Sequence, residues 1–333
     1  MAAANGNGGT RAQGPRCIAL VGPFQAGKTT LLEAILARTD AIQRQGTIEA
    51  GTTVGDSSHE ARHHKMSVEL TVATTTFMGD SYTFIDCPGS IEFVHDMRAA
   101  LPAVDAAVVV CEADEKKIPQ LQLILRELEA QNIPRFLFLN KIDKAEANLV
   151  EALQLLQPAS RKPLVLRQIP IWNGDIISGF VDLALERAHV YKEHAASEVV
   201  PLEGDSLERE KTARFSMLEK LADHDDELME QLLEDIPPPR DKVFDDLAKE
   251  LRDGLVVPVL MGAATRTNGV LRLLKALRHE APSVEATAKR LGVSGSDPVA
   301  YVLKTFNSSH AGKMSVVRVL SGPGISPDAL RLA

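Results

Sequence analysis

No apolar run in this 333-residue chain approaches the roughly 20 residues that a bilayer-spanning helix needs, and nothing points to a membrane. Cysteine is scarce. There are three, Cys17, Cys87 and Cys111, odd in number, far apart and without a CxxC spacing. That pattern argues against a disulfide framework and against a zinc site, and reads as three reduced thiols in a cytoplasmic protein. A basic surplus is also missing. The formal net charge is −8, so there is no broad positive field for DNA, and any RNA contact has to be local. The opening residues, rich in Ala, Gly and Asn, lack the apolar core of a signal peptide. Residues 1–15 read as a flexible arm.

What is present is an ordinary globular composition, 44 % apolar and 25 % charged, long enough for two or three domains. The negative charge is concentrated. Glu203–Asp235 holds 12 acidic and 4 basic residues, an excess equal to the whole net charge. Phe215, Leu218, Leu221, Met229 and Leu232 recur there at helical spacing, so the stretch is an amphipathic helical region. It is either a solvated outer face or a docking surface for a basic partner. The run Pro237–Pro239 ends it.

The first 150 residues alternate short apolar runs with helical patterns. Cys17–Gly22, Ser81–Asp86, Ala106–Cys111 and Arg135–Leu139 read as buried strands, and Lys28–Arg38 as a helix. This is the α/β doubly wound pattern, in which ligands bind at the carboxyl ends of the strands. Val256–Met261 and Val270–His279 look like the last strand and helix of the same sheet. The interval from Asp143 to that strand is too long for one connection, so an inserted subdomain is expected at about 169–254. After Pro282, Val299–Phe306 and Met314–Leu320 are β-rich. They read as a β domain cut short or as a hairpin packed on the main domain.

Four motifs fall at strand ends. Gly22, Pro23, Phe24, Gln25, Ala26, Gly27, Lys28 and Thr29 fit GxxxxGK[ST] between a strand and a helix, with Thr30 next. Such a loop turns backbone N–H groups onto phosphates, and the helix N-terminus adds favourable partial charge. Lys28 supplies a charge for the β/γ-phosphates, and the Thr29 hydroxyl a ligand for Mg2+. Asp86, Cys87, Pro88 and Gly89 form DxxG. Asp86 can hold Mg2+ through water, and the Gly89 N–H can meet a γ-phosphate. Asn140, Lys141, Ile142 and Asp143 form a base-selecting loop. The Asp143 carboxylate only accepts hydrogen bonds, which suits the N1–H and N2–H2 donors of guanine and not adenine. Gly262, Ala263 and Ala264 can present a backbone N–H to guanine O6. The site therefore reads as one for GTP or GDP with Mg2+. His59 and His63, four apart, could sit on a helix as metal ligands, or in a solvated loop. Trp172 is either a packing residue or a base-stacking platform.

Taken together, the chain resembles bacterial elongation factor G from about Arg16 onward. The segments QIPIWNGDIISGFVDL, PVLMGAATRTNGV and DPVAYVLKTF carry the resemblance, as does an insert between the guanine loop and the last strand. The resemblance implies a GTPase domain (16–282) with its insert, then the start of a β-barrel (297–333), in a monomer. It implies GTP hydrolysis at the factor site of the ribosome, with the acidic stretch 203–235 meeting the stalk proteins. It also assigns Ser67 to the first-switch position that binds Mg2+, where relatives have Thr. Two departures concern catalysis. Gln25 stands where the family has Asp, and Ser90 stands where it has the His that positions the attacking water. A Ser side chain is short and cannot become a cation, so hydrolysis is expected to be slow. The other reading is a GTP-responsive regulatory module that does not hydrolyse.

Overall fold

A computed structural model of the chain describes residues 14–55, 59–144, 149–174, 176–192, 197–294, 297–308 and 312–322. The expected arm at 1–15 lies almost wholly outside the described residues, as does the chain after 322. The first half is laid down as β1 (Arg16–Val21), α1 (Lys28–Arg38), α2 (His59–His64), β2 (Thr71–Phe77), β3 (Asp80–Asp86), α3 (Val94–Ala100), β4 (Ala106–Cys111), α4 (Ile118–Ala130), β5 (Arg135–Leu139) and α5 (Leu149–Leu156). Then come β6 (Leu164–Leu166), β7 (Gln168–Asn173), β8 (Ile176–Asp182), β9 (Arg187–Val190), β10 (Glu198–Val200), α6 (Asp205–Ala222), α7 (Asp226–Leu233) and α8 (Arg240–Arg252). The chain continues through β11 (Val257–Met261), α9 (Val270–Glu280), α10 (Val284–Arg290), β12 (Val299–Ser308) and β13 (Gly312–Ser321).

The main sheet has seven strands in the order β2-β3-β1-β4-β5-β11-β6. All neighbours run parallel except β2, which pairs antiparallel with β3 at one edge. A parallel strand covered on both faces must be apolar throughout, and β1 shows why. Cys17, Ala19 and Val21 enter one core, with Met97 of α3 and Leu121 of α4. Ile18 and Leu20 enter the other, with Leu31 and Ile35 of α1 and Leu273 of α9. The period of two along the strand thus feeds two layers. Two strands escape a reading by pattern. β2 (TVATTTF) alternates buried and exposed threonines on an edge, and β6 has three residues.

From Leu166 the chain leaves the main sheet and returns at Val257. Between these points lie a four-stranded antiparallel sheet, β10-β9-β8-β7, and three helices with their own core. Two buried ion pairs join that unit to α9: Arg167 with Glu280 at 2.8 Å, and Asp182 with Arg272. Burial pushes the Asp182 carboxyl up, but Arg272 and Arg167 outweigh it and hold it below the usual range. Removing one partner of such a pair costs about 3–5 kcal/mol, because the other charge is left buried.

The acidic stretch is not one helix. It breaks at Asp223–Asp225, where the Asp225 side chain caps α7 by accepting from Leu228 N at 2.8 Å. Leu218 and Leu221 are buried as the helical spacing requires, but Phe215 is exposed. Residues 59–64 form a short helix, and no cluster of three or more metal-ligating side chains occurs among the described residues. Trp172 lies half-buried in β7 beside a register shift.

β12 and β13 pair antiparallel as a two-stranded sheet. They pack on α3 and α10. Buried Asp105, at the foot of β4, accepts from Arg318 Nη2 and from Cys17 N, both at 2.7 Å, and from Thr287 Oγ1 at 2.5 Å. One carboxylate therefore ties the hairpin, α10 and the start of β1 together.

Candidate functional site

The four motifs follow β1, β3, β5 and β11, and hydrogen bonds join their loops. The P-loop leaves β1 at Gly22, where φ is 151° and a Cβ would run into the carbonyl oxygen of Val110 on the neighbouring strand. Only glycine permits that approach. Gln25 adopts a left-handed conformation, φ 57°, with its side chain exposed. Gly27 then opens α1. The Lys28 side chain folds back, and Nζ donates to Gly22 O at 3.1 Å and Pro23 O at 3.2 Å. Burial lowers the Lys28 pKa, and Asp86 pulls it back up. Thr30 opens onto a wide groove of about 1260 Å³ that borders residues 43–49 and the 265–268 loop.

The three oxygens expected around a cation come together. Thr29 Oγ1 donates to Asp86 Oδ2 at 2.6 Å and lies 3.1 Å from Ser67 Oγ. The single Thr29 proton is spent on Asp86, so Ser67 is the donor in the second contact. Two hydroxyls and a carboxylate are the hard-oxygen set that suits Mg2+. Thr29 and Asp86 are buried and Ser67 is half-buried. Cys87, between Asp86 and Pro88, is inert by comparison, since burial pushes its thiol far up. Gly89 passes so close to the P-loop that a Cβ on it would strike Lys28 Nζ.

After β5, Asn140 bridges two loops. Its Nδ2 donates to Ala26 O at 2.9 Å, and its Oδ1 accepts from Ala264 N at 3.0 Å. The side chain so locks the P-loop to the Gly262–Ala264 loop. Lys141, at φ 61°, donates through Nζ to Gln25 O at 2.8 Å and to Glu112 Oε1 at 3.1 Å. Asp143 is half-buried and pairs at 3.5 Å with the mostly exposed Arg266. An exposed partner of that kind holds a carboxylate weakly, so the acceptor oxygens remain open to stronger donors. Ala263 closes its loop through paired backbone bonds with Asn268 at 3.1 Å.

The corner around Ser90 differs. Ser90 begins a short turn, and its Oγ accepts from Glu92 N at 3.4 Å. The hydroxyl serves as a helix cap. Gln25, the other divergent position, takes part in the site through its backbone carbonyl.

Four side chains that no motif names complete the site. Glu112, just past β4, pairs with both Lys117 and Lys141. Burial pushes its carboxyl up, but the two lysines outweigh it and hold it below the usual range. Gln120 in the first turn of α4 accepts from Phe24 N and donates to Gly89 O. Gln45 Nε2 donates to Ala264 O at 3.2 Å. Glu33 of α1 accepts from Gly46 N at 2.8 Å and Val54 N at 2.6 Å, fixing the segment ahead of Ser67. The position of Glu112 at a strand's carboxyl end was a usable signal. Gln120, Gln45 and Glu33 left none, because polar residues on helices and loops are ordinary.

Comparison with known proteins bears on this geometry. A family model described as the elongation factor Tu GTP binding domain matches residues 14–283. The chain is 41 % identical over 318 residues to an elongation factor G-like protein of Synechocystis, covering 95 % of this chain and 47 % of the relative. It is 32 % identical over 340 residues to an elongation factor G-like protein of Mycobacterium tuberculosis, covering 98 % and 46 %. A crystal structure from Thermus thermophilus superposes with a TM-score of 0.81 at 29 % identity, over 92 % of this chain and 45 % of that one. The chain thus spans about half the length of the curated relatives it matches.

Proposed function

The chain belongs to the elongation factor Tu GTP-binding domain family, as a divergent member of the elongation factor G type, and on that premise we propose that it binds GTP and GDP with Mg2+, works on the ribosome in the cytoplasm, and hydrolyses GTP slowly. The observation that carries the binding half is the meeting of Thr29, Ser67 and Asp86 at 2.6 and 3.1 Å beside Lys28. Mg2+ at these oxygens offsets phosphate charge. Thr29 and Ser67 would be its direct ligands and Asp86 would hold it through water. The P-loop N–H groups that open α1 and the Lys28 ammonium bind phosphate oxygens. Gly89 N–H reads the γ-phosphate. Asp143 accepts from guanine N1–H and N2–H2, and Lys141 covers the base, while the N–H groups of Ala263 and Ala264 are bonded to Asn268 O and Asn140 Oδ1.

Slow hydrolysis rests on Ser90, whose hydroxyl is engaged with Glu92 N, and on Gln25 in place of an acid. A group that positions or protonates is worth about 10²–10⁴ in rate. The same observation favours a second reading, a GTP-responsive ribosome-binding module that releases its nucleotide without turnover. The acidic helices α6 and α7 are the proposed contact for the basic partner, the ribosomal stalk. The exposed Phe215 and Leu233 supply apolar anchors there.

Calorimetric titration with GDP, GTP and ATP in Mg2+ tests the binding half. Equal affinity for ATP and GTP defeats it. Single-turnover hydrolysis with and without ribosomes separates the two readings. Turnover on the ribosome as fast as that of ordinary elongation factor G overturns the slow-hydrolysis half.

A further inference from the structure

Gln120 stands where the P-loop and the DxxG loop come closest, on a third element that belongs to neither. Helix α4 starts at Ile118 with Pro119 in its first turn, and Leu121, Ile124, Leu125 and Leu128 form its buried face. Gln120 is off that face. Its Oε1 accepts from Phe24 N at 3.2 Å, and its Nε2 donates to Gly89 O. These two bonds fix the amide's orientation, since only one end can accept and only the other can donate. Lys28 Nζ lies within reach of the same Gly89. Ser90 and Gly89 line a groove of about 390 Å³ between α3 and α4, which Gln120 also lines, with Val94, Met97 and Ile124.

We propose that Gln120 is a positioning residue that sets the preference for GTP over GDP, by pinning the Gly89 peptide to the P-loop before the terminal phosphate arrives. The inference rests on the GTP-binding reading above. The physical argument is one of ordering. A loop that must be immobilised when the ligand binds charges that entropy against the ligand. Only GTP has a γ-phosphate for Gly89 N–H, so only GTP benefits from a Gly89 already held. GDP is bound by the later part of the P-loop, Thr29 and the base loop, which Asn140 and Lys141 hold at Ala26 O and Gln25 O, whereas Gln120 meets the P-loop only at Phe24 N. Loss of the amide therefore weakens GTP selectively. A carboxylate at the same place keeps the acceptor for Phe24 N–H but sets negative charge against Gly89 O, which is worse than no contact.

The test uses Gln120→Leu, which keeps the bulk and suits the apolar groove lining, and Gln120→Glu, which keeps only the acceptor. Dissociation constants for GDP and for a non-hydrolysable GTP analogue are measured with Mg2+, alongside thermal melting. The expected result for Gln120→Leu is a weakening of about three- to tenfold for the GTP analogue, the worth of roughly one hydrogen bond. GDP affinity stays within about twofold, and Gln120→Glu weakens the analogue further. A parallel loss for both nucleotides, or no loss for either, overturns the assignment, because a general structural role does not distinguish them. If the wild-type chain binds neither nucleotide, the GTP-binding reading falls and this inference with it. If it binds both and the ratio does not move, only Gln120's role falls.

Discussion

The base end of the groove and its hydrolytic end are built to different standards. At the base end, Asn140 spans from Ala26 O to Ala264 N, and Lys141 is held by Gln25 O and Glu112. These residues sit at the ends of fully buried parallel strands, so their geometry is set by the main core. At the other end, the Gln25 side chain is exposed and Ser90 Oγ accepts from Glu92 N. On the proposed reading, binding and turnover depend on separate groups: Lys28, Thr29 and Asp143 serve the first, and the positions of Gln25 and Ser90 the second.

The strongest way to break this contrast is Asp143→Asn. The amide loses a charged acceptor for two guanine donors, each such bond being worth about 1.5–3 kcal/mol. GDP affinity by calorimetry falls by about 10²-fold or more, with hydrolysis per bound GTP unchanged. A loss below about tenfold means the base is held elsewhere. At the other end, Ser90→His raises single-turnover hydrolysis on ribosomes by up to about 10²-fold, while GDP affinity stays constant. No acceleration places the missing catalytic group elsewhere. Glu112→Gln is a smaller probe. Lys141 keeps Gln25 O but loses its charged partner, and stopped-flow release of GDP quickens about three- to tenfold. The Glu112 carboxyl titrates below its usual range. Its contribution is thus complete above the unfolded value of about 4.3 and is lost only as pH falls through the lower folded value. The difference between wild type and variant is accordingly flat from pH 6 to 8. Smallest of all is the effect of thiol alkylation at pH 8. Buried Cys87 stays protonated, and GDP affinity does not change in mild treatment.

The parts legible in the sequence were those whose cause is local. Continuous apolar runs marked β1, β4 and β5 within a residue, because a strand buried on both faces admits nothing else. Helix α1 was bounded by Gly27 before it and the end of its apolar period after it. The motif residues were legible because their chemistry uses backbone and fixed spacing. What stayed hidden depends on distant partners. Gln120 meets Gly89 across 31 residues and Phe24 across 96. β6 is three residues long and is a strand only because β11 lies beside it. Phe215 has the spacing of the buried stripe, yet α6 turns it outward once Leu218 and Leu221 are seated.

The strand order carries a consequence for the time course of synthesis. β11 lies between β5 and β6, both of which leave the ribosome before it. Its neighbour β6 ends at Leu166, and β11 does not begin until Val257. At about 5–20 residues per second, an interval on the order of 5–20 s separates the two partners. Throughout it, β5 has an unpaired edge and the Gly262–Ala264 loop does not exist. The nascent chain thus has the P-loop and Asp143 early, but the Gly262–Ala264 loop that Asn140 binds only after the whole insert has emerged.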